Sequence, residues 1–222
     1  MLSSRYANKI TSNNDNVDLC INNSYLNHDF RKNDKNDDIS YFDNIFNLTD
    51  LEIIHRYITT CSWMKHWSCG PSNTFFFKNS VVKESMFSNL FYNKIIPNIN
   101  FEGKEKLKFI RAYINLHIPG IPGDWHQDNP GLGPTIIVYL DKKWDLLYEG
   151  QTAFILDSAS EINTTPYSCG QQKHNIKYVE HCPGRVVVFK PYLTHRACDM
   201  SRYASDDNVS RHTLAFHTYF AH

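Results

Sequence analysis

Between Lys106 and Ile118 the chain reads KLKFIRAYINLHI, and this alternating run restricts the fold more than any other stretch. Ile110, Ala112, Ile114, Leu116 and Ile118 share one parity, while Phe109, Arg111, Tyr113, Asn115 and His117 share the other. Successive side chains of a strand point to opposite faces, so an extended backbone separates the two sets where a helix would mix them. The first face is expected to be packed core. The second suits either a solvent-facing edge or the wall of a polar pocket. Phe109 and Tyr113 would gain little from facing water, which favours the pocket.

Five further runs read as short strands: TIIVYL at 135–140, TAFIL at 152–156, NIKYVE at 175–180, RVVVFK at 185–190 and RHTLAFHTYF at 211–220. Gly150, Gly170 and Pro183-Gly184 fall between them, as turn residues should. Two helices are expected earlier. Thr49 and Glu52 have capping-box spacing, Leu48 and Ile53 are placed for a hydrophobic staple, and Leu51, Ile54 and Ile58 recur at helical period. A second helix from about Lys83 to Ile96 would carry Met86, Leu90, Phe91 and Ile95 on one face, with Pro97 as its stop. Helices followed by many short strands predict a mainly-β, α+β domain, namely a double-stranded β-helix (jelly roll) buttressed by N-terminal helices.

Formal net charge is zero, so no global field draws the chain to nucleic acid or to a membrane surface. No arginine-rich helix or lysine block marks a nucleic-acid patch. No apolar run reaches the roughly 18 residues of a membrane span, and MLSSRYANKITSNN has no signal-peptide core. Six cysteines without that signal are expected to be reduced thiols in a soluble, cytoplasmic protein. Residues 1–40 are rich in Asn and Asp and poor in large apolar groups, which predicts a polar tail or lid before a domain over 41–222.

Within GDWHQDNPGLG at 123–133, His126 and Asp128 are two residues apart. On extended backbone they share a face and can meet one ion. With eleven histidines and sixteen aspartates, chance supplies about one such pair, so the surroundings must carry the argument. His195 follows an apolar strand, and a second distant histidine would complete a two-His-one-carboxylate triad with open positions, typical of non-haem Fe(II) oxygenases. Arg211 opens the last strand and shares its face with Thr213, a pair suited to one ligand carboxylate. Cys61, His66 and Cys69, and later Cys169, His174, His181 and Cys182, form rival clusters, but neither has the CxxC spacing of structural zinc.

HQD at 126–128, YLDKKWDLLYEGQTAF at 139–154, His195 and RHT at 211–213 together resemble the Fe(II)/2-oxoglutarate-dependent dioxygenases, nearest the prolyl-4-hydroxylase-like branch. The resemblance covers roughly residues 105–220. It implies Fe(II) on His126, Asp128 and His195, the distal carboxylate of 2-oxoglutarate on Arg211 with Thr213, and Tyr113 against the co-substrate. It implies O2 as the oxidant and leaves room for ascorbate. Oxidative decarboxylation to succinate and CO2 would then be coupled to hydroxylation of a C–H bond in a peptide or small-molecule substrate. Two departures stand out: Glu149-Gly150-Gln151 replaces the family's paired glycines, and Arg211 replaces the lysine of many collagen-type members. A catalytically silent jelly roll that binds a metal or acidic ligand is the alternative, and a cupin-like enzyme is a third reading.

Overall fold

The computed structural model describes residues 38–67, 75–128, 133–156 and 175–221. Most of the expected tail, the turn at Gly170, and Cys69, Cys169 and His174 of the rival clusters lie outside them. Among the described residues, two antiparallel sheets face each other in the jelly-roll pattern. The larger sheet comprises β1 (Ile39–Phe42), β2 (Met64–Trp67), β3 (Phe75–Ser80), β4 (Leu107–His117), β5 (Thr135–Tyr139), β8 (Val186–Phe189) and β10 (Arg211–Phe220), in the order β1-β8-β5-β10-β4-β3-β2. The smaller holds β6 (Thr152–Ile155), β7 (Ile176–Val179) and β9 (His195–Ala197), in the order β7-β6-β9. An isolated bridge between His126 and His195 sets the segment around His126 beside β9. No helix of the described residues is long and apolar enough to cross a membrane.

The larger sheet is covered on both faces, which explains the unbroken apolar run VVVF in β8. Val186 and Val188 join Ile136, Val138, Leu214 and Phe216 under the helices, while Val187 and Phe189 meet Phe154, Val179 and Leu193 between the sheets. Helix α1 (Leu48–Thr60) buries Leu51, Ile54 and Ile58 on the first of these faces. Its capping box is Asn47 with Asp50, each side chain accepting from the other's backbone N–H at 2.9 and 3.0 Å. Thr49–Glu52 is therefore not the box, and Leu48 and Ile53 are exposed rather than stapled. Asn and Asp serve a cap as well as Thr and Glu do, and the earlier start aims the apolar stripe at the sheet.

The second helical segment, α2 (Ser85–Leu90), continues through a π-turn at Phe91–Ile95 into a final turn at Ile96–Asn98. Pro97 sits inside that last turn instead of preceding a stop. A proline removes one i→i−4 hydrogen bond, and the widened turn lies where the ladder has to accommodate it.

One irregularity changes the reading of β4. Its register with β10 slips between His217 and Thr218, with Arg211 opposite His117 and His217 opposite Arg111, but Thr218 opposite Phe109. Ile110 is the extra residue of a β-bulge, which resets the alternation. From Arg111 onward the expected parity holds, with Ala112 and Ile114 buried. Before it the faces swap. Ile110 is 46% exposed, and Phe109 packs on the helix side, 5.0 Å from Phe91 and 5.3 Å from Phe216 between ring centroids. Phe109 is therefore core and not pocket wall.

Candidate metal centre

The bridge that adds the HQD segment to the smaller sheet is a reciprocal pair. The His126 N–H donates to the His195 carbonyl at 3.0 Å, and the His195 N–H donates back at 2.9 Å. Directly opposed residues carry their side chains on the same face, and the two imidazole centroids are 4.3 Å apart. Close approach of the strands needs Gly123, where an added Cβ would lie 3.2 Å from the Ala197 nitrogen.

Both rings are oriented from behind. Nδ1 of His126 lies 2.9 Å from the Asp124 carbonyl, and Nδ1 of His195 lies 2.9 Å from the Leu193 carbonyl. A carbonyl can only accept, so each Nδ1 carries the proton and each Nε2 presents its lone pair inward. Asp128 supplies the third donor, and the three ligand atoms all lie within 4.8 Å of one another. His195 and Asp128 are buried while His126 is exposed. Burial and the neighbouring His126 draw the His195 pKa down to about 4, so the ring is neutral, as a ligand must be.

Asp128 is itself held. Thr135 donates its hydroxyl to Oδ2 at 2.5 Å, and His217 Nδ1 lies 3.9 Å from Oδ1. The Tyr113 hydroxyl is 2.6 Å from His217 Nε2. Burial, with the Asp128 carboxylate second, raises the Tyr113 pKa, so the phenol stays protonated and donates to that nitrogen. His217 Nδ1–H is then the end that faces Asp128. Tyr113, expected beside a co-substrate, reaches Asp128 of the candidate ligand set through His217.

Arg211 forms a second pole, on the face of the larger sheet that also carries Thr213 and His217. It is 2% exposed, yet its partners among the described residues are all neutral: Nε donates to His181 Nδ1 at 3.3 Å, Nη2 donates to Thr152 Oγ1 at 2.9 Å, and the guanidinium carbon lies 5.4 Å from the Tyr139 ring centre. Burial, helped by Arg211, holds His181 at about 4 despite Asp141. Asp141 lies 2.9 Å from His181 Nε2 and 2.7 Å from His212 Nδ1. Burial alone would raise its carboxyl, but the hydrogen bonds from His181 and His212 hold it well below the usual range. Thr213 is buried in register with Asn115 and Tyr139. The Asn115 Oδ1 is buried without a hydrogen-bond partner among the described residues.

His126, Asp128 and His195 therefore come together, and Arg211, Thr213 and Tyr113 share the sheet face beside them. Thr135, His181 and His217 were missed. For His217 a signal existed, since it has the parity of Arg211 and Thr213 within RHTLAFHTYF. His181, which by sequence neighbours Cys169, His174 and Cys182 in a rival zinc cluster, packs against Arg211 and stacks 4.4 Å from Tyr139. At Glu149-Gly150 the departure from paired glycines is visible in the backbone. Glu149 adopts φ 59° and ψ −123°, and a Cβ on Gly150 would crowd Trp144, Met200 and the Arg211 Cδ at 3.1 to 3.3 Å.

No protein-family model matches the sequence, and no curated protein matches it. Solved structures do match. The non-haem α-ketoglutarate-dependent epimerase SnoN from nogalamycin biosynthesis superposes with a TM-score of 0.62 at 12% identity, over 84% of this chain and 80% of that one. A 2OG-Fe(II) oxygenase-family oxidoreductase from Burkholderia pseudomallei gives 0.61 at 11%, over 83% and 86%. A Pseudomonas putida prolyl-4-hydroxylase gives 0.53 at 12%, over 83% and 93%. The chain shares the fold of these proteins.

Proposed function

We propose that this chain is an Fe(II)- and 2-oxoglutarate-dependent oxygenase that hydroxylates a C–H bond of a peptide or small-molecule substrate. The observation that carries the proposal is the pairing of two unfinished poles between the two sheets. One is a three-ligand His/Asp/His set with both Nε2 lone pairs turned inward. The other is a buried guanidinium with only neutral partners among the described residues. A buried cation needs a counter-charge. A dicarboxylate that reaches from the ligand set to Arg211 supplies it. The matched folds agree, since SnoN is described as α-ketoglutarate-dependent and the Burkholderia protein as a 2OG-Fe(II) oxygenase.

The donor set suits iron, because two imidazoles and one carboxylate on one face leave positions open. His126, Asp128 and His195 would hold it, and with 2-oxoglutarate and O2 it supplies the oxidising chemistry. The chain's own residues bind and orient. Arg211 takes the distal carboxylate, His181 and Thr152 fix the guanidinium plane, and Thr213 adds a hydroxyl on the same face. Thr135 and the Tyr113–His217 pair hold the Asp128 carboxylate in place. Phe154, Phe189 and Leu193 keep water from the inter-sheet side of His195.

The test is succinate release from 2-oxoglutarate with added Fe(II), with substrate mixtures screened by mass spectrometry for a gain of one oxygen. Wild-type turnover lost in His195→Ala supports the proposal. Full turnover in that variant, or none in the wild type with metal shown bound, overturns it.

A further inference from the structure

The sheet face that bears Arg211 has a second cationic end. Register sets the order along it: Arg211 opposite His117, Thr213 opposite Asn115, Ala215 opposite Tyr113, and His217 opposite Arg111. Lys78 of β3 lies opposite Asn115 on the other side of β4. Arg211 therefore begins the row and Arg111 ends it. Asp128 belongs to the Arg111 end, through Thr135 and His217, which are themselves in register.

Lys78 is half-buried and lays its ammonium 3.6 Å from the centre of the Tyr113 ring. That phenol reaches His217, so the lysine is joined to the ligand set by a short run of contacts. Neither Lys78 nor Arg111 forms an ion pair among the described residues. Burial, with the charge of Arg111 second, pulls the Lys78 ammonium below the usual lysine range. Arg111 is exposed while Lys78 is half-buried against the Tyr113 ring, and the two like charges on one face repel each other, a cost the ring face offsets only in part. An arginine fork beside a lysine point charge is the pairing that a carboxylate or oxyanion accepts from both.

We infer that Lys78 and Arg111 form the recognition site for an anionic group, a carboxylate, phosphate or sulfate, on the molecule that is oxidised. The inference rests on the reading above in one respect, that the Arg211 end belongs to 2-oxoglutarate. Substrates are thus selected by charge at the end of the face remote from Arg211, with the anion held to one side of the ligand set.

Calorimetric titration of the full-length, metal-free chain with sodium sulfate, phosphate and acetate tests this, with 2-oxoglutarate titrated separately. The wild type should bind at least one anion saturably. Lys78→Gln with Arg111→Gln should weaken it by roughly tenfold or more, about 1.4 kcal/mol. The same pair should leave 2-oxoglutarate affinity unchanged, and Lys78→Arg with Arg111→Lys should retain the anion. Preference for acetate identifies a carboxylate, and preference for sulfate or phosphate a tetrahedral oxyanion. Arg211→Met should keep anion binding. Equal anion affinity in the double Gln variant, no saturable binding of any of the three, or loss confined to Arg211→Met overturns the inference. Failure of the oxygenase reading is separately visible, as 2-oxoglutarate affinity unchanged in Arg211→Met.

Discussion

Arg211→Met separates a binding role from a structural one. In the unliganded chain the guanidinium is almost fully buried and, among the described residues, is held by His181, Thr152 and the Tyr139 ring. Removing it gives up two hydrogen bonds from a charged donor but also relieves a desolvated charge that lacks a carboxylate. Hydrogen bonds to charged groups contribute about 1.5–3 kcal/mol each, and the desolvation penalty of one buried ion is several kcal/mol. The two nearly cancel, and methionine keeps most of the packed stem. Unliganded stability should therefore change by no more than about 1–2 kcal/mol. Ligand binding should not be spared. Truncating one partner of a buried, hydrogen-bonded charge pair costs about 2–5 kcal/mol, so 2-oxoglutarate affinity should fall by about two orders of magnitude, at 1.4 kcal/mol per tenfold. Paired thermal melts report both quantities. Saturating 2-oxoglutarate should raise the wild-type Tm, through the roughly 2.7 kcal/mol of stabilisation expected at a hundredfold excess over Kd, and leave the variant's nearly unmoved. A variant that melts far lower without ligand yet responds normally to 2-oxoglutarate would refute the reasoning and make Arg211 a structural cation.

Three further outcomes are expected. His181 has its pKa depressed in the fold from an ordinary 6.5 to about 4, so the unfolded chain binds the extra proton between those values; stability is then fully present above about pH 6.5 and lost as pH falls toward 4, by up to about 3 kcal/mol. Urea melts across that window should show the loss, and a flat profile in the wild type would sink the argument. Phe216→Ala should cost about 3–5 kcal/mol, because the ring is fully buried against Phe91 and Phe109; chemical denaturation measures it, and a loss under 1 kcal/mol would show that the site collapses to fill the space. Glu149→Gly should stabilise the chain by up to about 1–2 kcal/mol by relieving a φ of 59° at a ψ of −123°, and a lower Tm in the glycine variant would show that the Glu149 side chain outweighs the strain.

The strands of the jelly roll were legible where one period ran long enough. TIIVY, TAFI, IKYV, VVVF and RHTLAFHTYF each form the expected strand, because burial on one or both faces selected residues for it over several positions. His195–Ala197 was not legible as β9, since three residues carry no period and the strand exists through its pairing with β6 and the His126 backbone. The candidate pair His126 and Asp128 could be read because i, i+2 spacing on extended backbone is a local fact. The supports of Asp128 could not, because Thr135, Tyr113 and His217 come from three strands and meet only through register. The Phe109 assignment failed for one physical reason. A single extra residue in a strand inverts every side chain beyond it, and nothing in FIRA announces that the extra residue is Ile110.

The reciprocal hydrogen bonds between His126 and His195 join points of the chain that are nearly seventy residues apart, where loop closure is entropically costly. The segment around His126 meets β9 through that pair and through the Gly123 N–H to the Ala197 carbonyl. It is thus a clasp, held by few backbone bonds and by whatever its two imidazoles grip together. Docking of this segment and assembly of the candidate ligand set are therefore coupled. Any ion bound there tightens the clasp by its own binding free energy, and any solvent condition that opens the clasp weakens the ion in equal measure. Under the proposed Fe(II) binding, metal supply would add to the stability of the folded state as well as to its capacity to react.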